Sequence, residues 1–195
     1  SYVTQSRNWL PDAIGGVIWF GVDDAATTVY VPMYTSMTRT PVTFAEGNGD
    51  MLTYSDNAAF WVFNKVANFA YLRYDLMSRD IIRVQQELEN RFALFAPAVE
   101  KAALILYESD PAMAVEFLTA YSVNAGNEVV HRWKELSNFL LVKYMDGNEK
   151  QEKDGEFLRN PHGYPATPKH PGYPEWWLRR LIHETGDRFE YIDFD

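Results

Sequence analysis

Gln5 and Arg7 lie two positions apart in the first strand-like run of the sequence, which extends from Tyr2 to Arg7. Side chains two positions apart in an extended strand point to the same face. A guanidinium can hold a carboxylate through two parallel hydrogen bonds, and a neighbouring amide adds further polar contacts. The pair is therefore a candidate for the wall of a substrate pocket. The same spacing is also typical of an edge strand with a solvated polar face, and both interpretations stay open.

Two other features near the start of the chain invite a chemical interpretation. Asp23 and Asp24 form a carboxylate pair, but aspartate is common in turns because its side chain bonds to the nearby backbone, and the sequence favours a turn here. Ser1 has the residue type of a chain-terminal nucleophile, in which the free α-amine acts as the base.

Metal or cofactor chemistry has little support in the sequence. The chain has four histidines and no cysteine, and no two histidines have the i, i+4 spacing of a helical metal pair. His162 and His170 flank a proline-rich loop without a cluster of further ligands. Neither a nucleotide-binding glycine motif nor a GxSxG motif occurs. We therefore expect no metal ion and no cofactor.

The charge of the chain limits its partners. The sequence has 195 residues and a formal net charge of −9 at pH 7. Nucleic-acid binding needs clustered lysine and arginine, and anionic membrane surfaces attract the same residues. We therefore expect neither nucleic acid nor a membrane as a partner.

The order of the patterns indicates an α+β fold, with strands in residues 1–45 and helices in residues 54–147. The stretch GGVIWFGVDDAATTVYVPMY, residues 15–34, predicts two strands joined by a turn. Both sets of alternating side chains are apolar, so we expect this hairpin to be covered on both faces. Pro32 cannot donate to a ladder, which predicts an edge strand or a bulge.

Helix limits follow from capping residues and proline. Ser55 or Asp56 predicts the start of the first long helix, and Asp110-Pro111 predicts another start. Pro97 predicts an interruption, and Asp146-Gly147 predicts the end of the last long helix. Helical spacing predicts two buried stripes, formed by Ile81, Val84, Leu88, Phe92 and Phe95, and by Val130, Trp133, Leu136, Leu140 and Tyr144.

Residues 149–195 differ in character from the rest of the chain. Residues 149–156 are charged, residues 160–174 are rich in proline and predict an extended loop, and PEWWLRRLIHETG predicts a short final helix. The tail aromatics near proline, which could stack on sugar rings, are Tyr164, Tyr173, Trp176 and Trp177. A carbohydrate-binding module, or a protein-interaction module without catalysis, is therefore an alternative function.

Several stretches up to about Asn148 together resemble the C-terminal part of the N-terminal-nucleophile cysteine dipeptidases, the family of dipeptidase A and the secernins. The family pattern has a Gln-x-Arg strand, Leu-Pro, a Gly-Val-x-Trp strand, a strand ending Val-Pro-x-Tyr, and a helix with Ala-x-Trp. The corresponding residues here are Gln5 and Arg7, Leu10-Pro11, Gly16-Val17 with Trp19, Val31-Pro32 with Tyr34, and Ala59 with Trp61. VQQELENRF and LLVKYMDGN continue the likeness.

The resemblance implies a four-layer αββα fold, of which residues 1–148 form the C-terminal part and residues 149–195 an extension. It implies hydrolysis of dipeptides by a cysteine that becomes the first residue of the mature enzyme. Because this chain has no cysteine, we expect a fragment that has no catalytic residue of its own. Its expected partners are the missing N-terminal half, a dipeptide substrate and further copies of the same chain.

Overall fold

The computed structural model describes residues 1–189 and divides the chain into two compact units, Ser1–Leu141 and Val142–Asp195. The strands are β1 (Tyr2–Ser6), β2 (Gly16–Phe20), β3 (Val31–Tyr34), β4 (Glu152–Lys153) and β5 (Glu156–Phe157). The helices are α1 (Asp12–Gly15), α2 (Ala59–Leu72), α3 (Tyr74–Ser109), α4 (Pro111–Tyr144) and α5 (Glu175–Thr185). Antiparallel strands followed by long helices confirm the predicted α+β class.

The sheet of the first unit has the order β1-β2-β3, and both pairings are antiparallel. The predicted hairpin is therefore present, although its second strand begins only at Val31 after a long connection. Pro32 lies in β3, at an edge of the sheet, as its missing N–H group predicts. Ser6 pairs with Gly16 and Tyr2 pairs with Phe20, so β1 and β2 run alongside each other over their full lengths.

Helices α3 and α4 cover one face of this sheet. Val17 and Tyr34 are direct neighbours across β2 and β3, and they pack in one buried cluster with Ile14, Ala103 and Leu118. The Tyr34 ring meets the Tyr121 ring edge-on at 6.2 Å, and the Tyr34 backbone N–H donates to the Ser122 hydroxyl at 3.2 Å. These contacts fix the sheet to the helices.

The opposite face of the sheet is only partly covered, which corrects the expectation of a hairpin buried on both sides. On this face Tyr2 and Thr4 of β1 are exposed, Ile18 and Met33 are half-buried, and Phe20 is 37% exposed. The physical reason is that, among the described residues, the long helices stack on the face of Val17 and Tyr34. The apolar residues of the second face therefore lack a complete covering layer.

Some of the predicted limits of the long helices are confirmed and others are wrong. Asp110 caps α4, since its carboxylate accepts from the Ala112 N–H at 2.9 Å. By contrast α2 begins at Ala59 without a side-chain cap, so the predicted start at Ser55 or Asp56 is wrong. Pro97 does not interrupt α3 either, because a proline removes a single backbone bond and packed residues hold the helix on both sides of it.

The predicted stripe of α4 is buried throughout, and Trp133 stacks on Phe63 of α2 at 4.9 Å. The stripe of α3 is buried from Ile81 to Phe92, whereas Phe95 is 52% exposed, which corrects its place in the core. The buried face of α3 continues to Ala103, which packs with Val17 and Tyr34 of the sheet, so Phe95 lies beside that face rather than on it.

The second unit contains the β4–β5 hairpin, the proline-rich loop and α5. The loop of residues 160–174 has no helix or strand but is fixed by isolated bridges, Glu149 with Lys169 and Arg159 with Pro165. Helix α5 starts after Pro174 and ends at Gly186, which has φ +59, as the sequence predicts. Residues 190–195 of the predicted extension lie outside the described residues, and the division at residue 148 remains a prediction.

Candidate functional site

Arg7 follows β1 and binds the end of the short helix α1. Its backbone N–H donates to the Gly15 carbonyl at 3.0 Å, and its guanidinium donates to the Gly15 carbonyl at 3.2 Å and to the Ile14 carbonyl at 3.0 Å. The last carbonyls of a helix lack partners within the helix and attract cations. A side chain on Gly15 would place its Cβ 2.7 Å from the Arg7 carbonyl oxygen, so this close approach requires glycine.

The same guanidinium forms a salt bridge with Glu100 of α3, and the two side chains are 7% and 21% exposed. Tyr34 lies beside it: burial raises the pKa of the Tyr34 phenol, while the charge and hydrogen bond of Arg7 lower it in part. Arg7 therefore joins β1, α1, β3 and α3 in one buried cluster. Sequence reasoning did not find Glu100 or Tyr34 as its partners, because they are distant along the chain.

Gln5 has a different environment from Arg7. It is exposed, and its side-chain oxygen accepts from the Trp19 indole N–H at 3.2 Å. Gln5 pairs with Val17 across the ladder and so lies on the sheet face that α3 and α4 cover, near the uncovered edge of that face. Of the two predicted pocket residues, Gln5 is the one whose side chain solvent reaches.

The other acidic and terminal candidates have structural contacts. Asp24 accepts from the Ala26 N–H at 3.2 Å and from the Thr27 hydroxyl at 3.1 Å, which confirms the predicted turn. Asp23 has φ +61 and accepts from the Asn64 amide at 3.3 Å. The Ser1 amine donates to the Gly21 carbonyl at 3.0 Å, which extends the ladder of β1 and β2 by one residue.

Within the second unit the tail aromatics Trp176 and Trp177 line a cavity of about 320 Å³, together with Arg180, Leu181 and Glu184 of α5. Within residues 1–189 no group of three His, Cys, Asp or Glu side chains could hold a metal ion. In the second unit Tyr173 and Trp177 stack on each other at 4.6 Å, and Trp176 and Tyr164 are largely exposed. No helix in the described part of the chain is both long enough and apolar enough to cross a membrane.

A cleft of about 390 Å³ lies at the Phe20 end of β2, and sequence reasoning missed it. Its walls come from β2, from the 3-10 turn Val42–Phe44, from the following loop up to Met51, and from the first turn of α2. The residues that line it are Phe20, Val22, Thr43, Phe44, Ala45, Asn48, Gly49, Asp50, Met51, Ala58, Ala59, Phe60 and Trp61.

Hydrogen bonds fix the loop that forms one wall of the cleft. The Asn48 amide donates to the Val42 and Asn57 carbonyls at 3.1 and 3.0 Å, and its oxygen accepts from the Ser55 hydroxyl at 2.9 Å. The Trp61 indole N–H donates to the carbonyls of Asp50 and Thr53, both at 3.0 Å. The turn cluster EGNGD was visible in the sequence, but these partners, up to eleven positions away, were not.

Gln5 and Arg7 are not among the cleft residues. Arg7 follows the end of β1 that pairs with Gly16, whereas Phe20 pairs with Tyr2 at the other end. At about 3.3 Å per residue, these two ends of the ladder are about 13 Å apart. The structure therefore separates the predicted pocket residues from the cleft.

Comparison with known proteins finds similarity to peptidases. Residues 1–87 match the model of peptidase family C69, in agreement with the resemblance noted in the sequence. Over 143 residues the chain is 27% identical to a protein named "Probable dipeptidase" from Latilactobacillus sakei. The alignment covers 73% of this chain and 28% of the relative, so the chain spans well under a third of the curated relative it matches. Every residue that lines the cleft lies within the matched residues 1–87.

Proposed function

We propose that this chain is part of a dipeptidase, an enzyme that hydrolyses dipeptides with a cysteine nucleophile. The observation that carries the proposal is the relationship of residues 1–87 to peptidase family C69, together with the name of the dipeptidase relative.

Under this proposal the nucleophile lies in a segment that precedes Ser1, since the chain has no cysteine. The sheet β1-β2-β3 then forms part of one sheet of a four-layer αββα fold. Two features support this placement: α3 and α4 cover only one face of the sheet, and the other face carries the half-buried apolar residues Ile18 and Met33. A second sheet stacked on that face would remove their apolar surface from water.

The proposed reaction has two steps. The cysteine thiolate attacks the peptide carbonyl carbon, and backbone or side-chain donors stabilise the oxyanion that forms. The C–N bond then breaks, the departing amine takes the proton that the α-amine of the cysteine has carried, and an acyl-enzyme remains. Water then attacks the thioester and gives one proton back to the α-amine; the C–S bond breaks, the thiolate forms again, and the second amino acid leaves as a carboxylate after its remaining proton passes to solvent.

Within this reaction Arg7 is a positioning residue and Gln5 is a candidate for the pocket wall. Arg7 holds the end of β1 against α1 and α3 through contacts with protein atoms. Gln5 is exposed, so its amide can reach a ligand without breaking the core. We expect Gln5→Ala to lower kcat/KM for dipeptides at least tenfold. Gln86→Ala is the matched control, because Gln86 is an exposed glutamine on α3, outside the sheet.

The experiment is a hydrolysis assay on the full-length protein that contains this chain, with release of free amino acids from dipeptides as the readout. We expect hydrolysis that iodoacetamide abolishes and that metal chelators leave unchanged. Replacement of the candidate cysteine by alanine should remove activity and preserve the circular dichroism spectrum. Absence of hydrolysis, or activity that survives thiol alkylation, would refute the proposal.

A further inference from the structure

The cleft at the Phe20 end of β2 is preformed. Its outer wall, the loop from Ala45 to Met51, is attached at both ends by the bonds of Asn48 and of the Trp61 indole. Gly49 has φ +80, and a Cβ there would lie 2.9 Å from the Thr53 carbonyl oxygen, so this conformation of the loop requires glycine at position 49. A ligand would therefore not have to order this loop on binding.

The surface of the cleft is mainly apolar and aromatic. Phe20 and Phe44 meet edge-on at 6.2 Å, and Phe60 and Trp61 meet edge-on at 5.2 Å. Met51 and Phe60 remain 81% and 39% exposed at the rim. Aromatic and apolar walls of this kind bind apolar groups by removing their surface from water.

The described residues that line the cleft carry a single formal charge, which is negative. Asp50 is the one residue with a formal charge among the described residues that line it, and no lysine, arginine or histidine joins it. Hydrogen bonds from the Leu52 N–H and from Thr53 lower the pKa of the Asp50 carboxyl, so it is ionised at neutral pH. An acidic group entering the cleft would meet a like charge without any compensating base.

The size of the cleft limits its occupant. A volume of about 390 Å³ lies near the lower end of the range of roughly 300–1,000 Å³ for small-molecule sites. That space suits one large side chain with its adjoining backbone and is too small for a folded partner. Because the lining residues all lie within residues 1–87, the cleft belongs to the part of the chain that is related to the peptidases.

We propose that this cleft binds a large apolar side chain of the dipeptide substrate and disfavours acidic side chains. The inference rests on the proposed dipeptidase function and adds a substrate preference to it, and it makes the cleft an alternative to Gln5 as the pocket wall. Phenylalanine, leucine and methionine dipeptides are then better substrates than the matching alanine dipeptides, and aspartate and glutamate dipeptides are the poorest.

The test measures kcat/KM of the full-length protein for paired dipeptides in which Phe, Ala or Asp occupies each of the two positions. At one position we expect a preference for Phe over Ala of at least about tenfold, which is the range for an apolar specificity pocket. Ala45→Phe fills the cleft and should reduce that preference at least fivefold. Ala93→Phe, on the exposed surface of α3, is the matched control and should leave it unchanged.

Two further variants keep the test independent of any folding defect in Ala45→Phe. Phe60→Ala shortens a rim residue that is already partly exposed and should also weaken the preference for Phe. Asp50→Asn removes the charge and should raise kcat/KM for Asp dipeptides about threefold or more, whereas Glu46→Gln, in the same loop but outside the cleft, should not.

The outcomes separate the two proposals. If no dipeptide is hydrolysed, the proposed function fails and this inference fails with it. If dipeptides are hydrolysed but the cleft variants and their controls give the same Phe/Ala and Asp/Ala ratios, the substrate-pocket inference alone is overturned. Changes in these ratios that are confined to the cleft variants support it.

Discussion

Replacing Arg7 with alanine should destabilise the protein far more than an ordinary surface substitution. The change leaves the Glu100 carboxylate without its partner and the Ile14 carbonyl without its donor, while the Gly15 carbonyl keeps only the bond from the backbone N–H of residue 7. Loss of one partner from a buried ion pair costs about 3–5 kcal/mol. Because Glu100 keeps 21% of its side-chain surface in water, we expect the lower end of that range, about 3 kcal/mol.

The assay is urea unfolding of the intact protein, followed by far-ultraviolet circular dichroism. Arg39→Ala is the matched control, because Arg39 also pairs with a glutamate, Glu116, but at an exposed site where such pairs contribute little. We expect a clear loss of unfolding free energy for Arg7→Ala and a midpoint near that of the unmodified protein for Arg39→Ala.

A double variant, Arg7→Leu with Glu100→Leu, tests the physical reason directly. Apolar replacement of both partners removes the uncompensated charge, so much of the lost stability should return. If Arg7→Ala and Arg39→Ala have equal effects, or if the double variant is no more stable than Arg7→Leu, the buried cluster does not hold β1, α1 and α3 together as described.

Two further predictions concern packing and pH. Gly126→Ala should destabilise the protein despite the helix preference for alanine, because the new Cβ would lie 2.6 Å from the Pro41 ring. Adding Pro41→Ala to the same chain should restore part of the lost thermal stability. A Gly126→Ala protein that is more stable than the unmodified protein would contradict this packing. Burial raises the pKa of Tyr121 from 10.0 to about 12. The unfolded chain loses this proton at lower pH than the folded protein, so the free energy of unfolding falls as the pH rises from about 10 to 12. Urea midpoints at pH 8 and 11 should show a smaller fall for Tyr121→Phe than for the unmodified protein. Equal falls would exclude Tyr121 as a cause.

Local sequence signals predicted much of the secondary structure. Asp110-Pro111 marked the start of α4, and the stripe from Val130 to Tyr144 marked its buried face. These predictions succeeded because capping and helical spacing depend on residues within a few positions of one another. The proline-rich loop and the final helix after Pro174 follow from the same kind of local rule.

Local signals were misleading where packing opposed them. Pro97 predicted a break, but α3 continues because contacts on both sides of it outweigh one missing backbone bond. Ser55 resembled an N-cap, but its hydroxyl donates to Asn48 and so stabilises the loop beside the cleft. In both cases a contact outside the helix decided the outcome.

The sequence by itself determined the α+β class, the order of strands and long helices, and the likeness to the peptidases, because each depends on patterns of residues that are close together in the chain. Only the tertiary structure decided that Arg7 binds Glu100, 93 positions away, and that Phe20, Phe44 and Trp61 line one cleft. Such contacts depend on which distant residues the folded chain brings together, and no local sequence pattern indicates which residues these are.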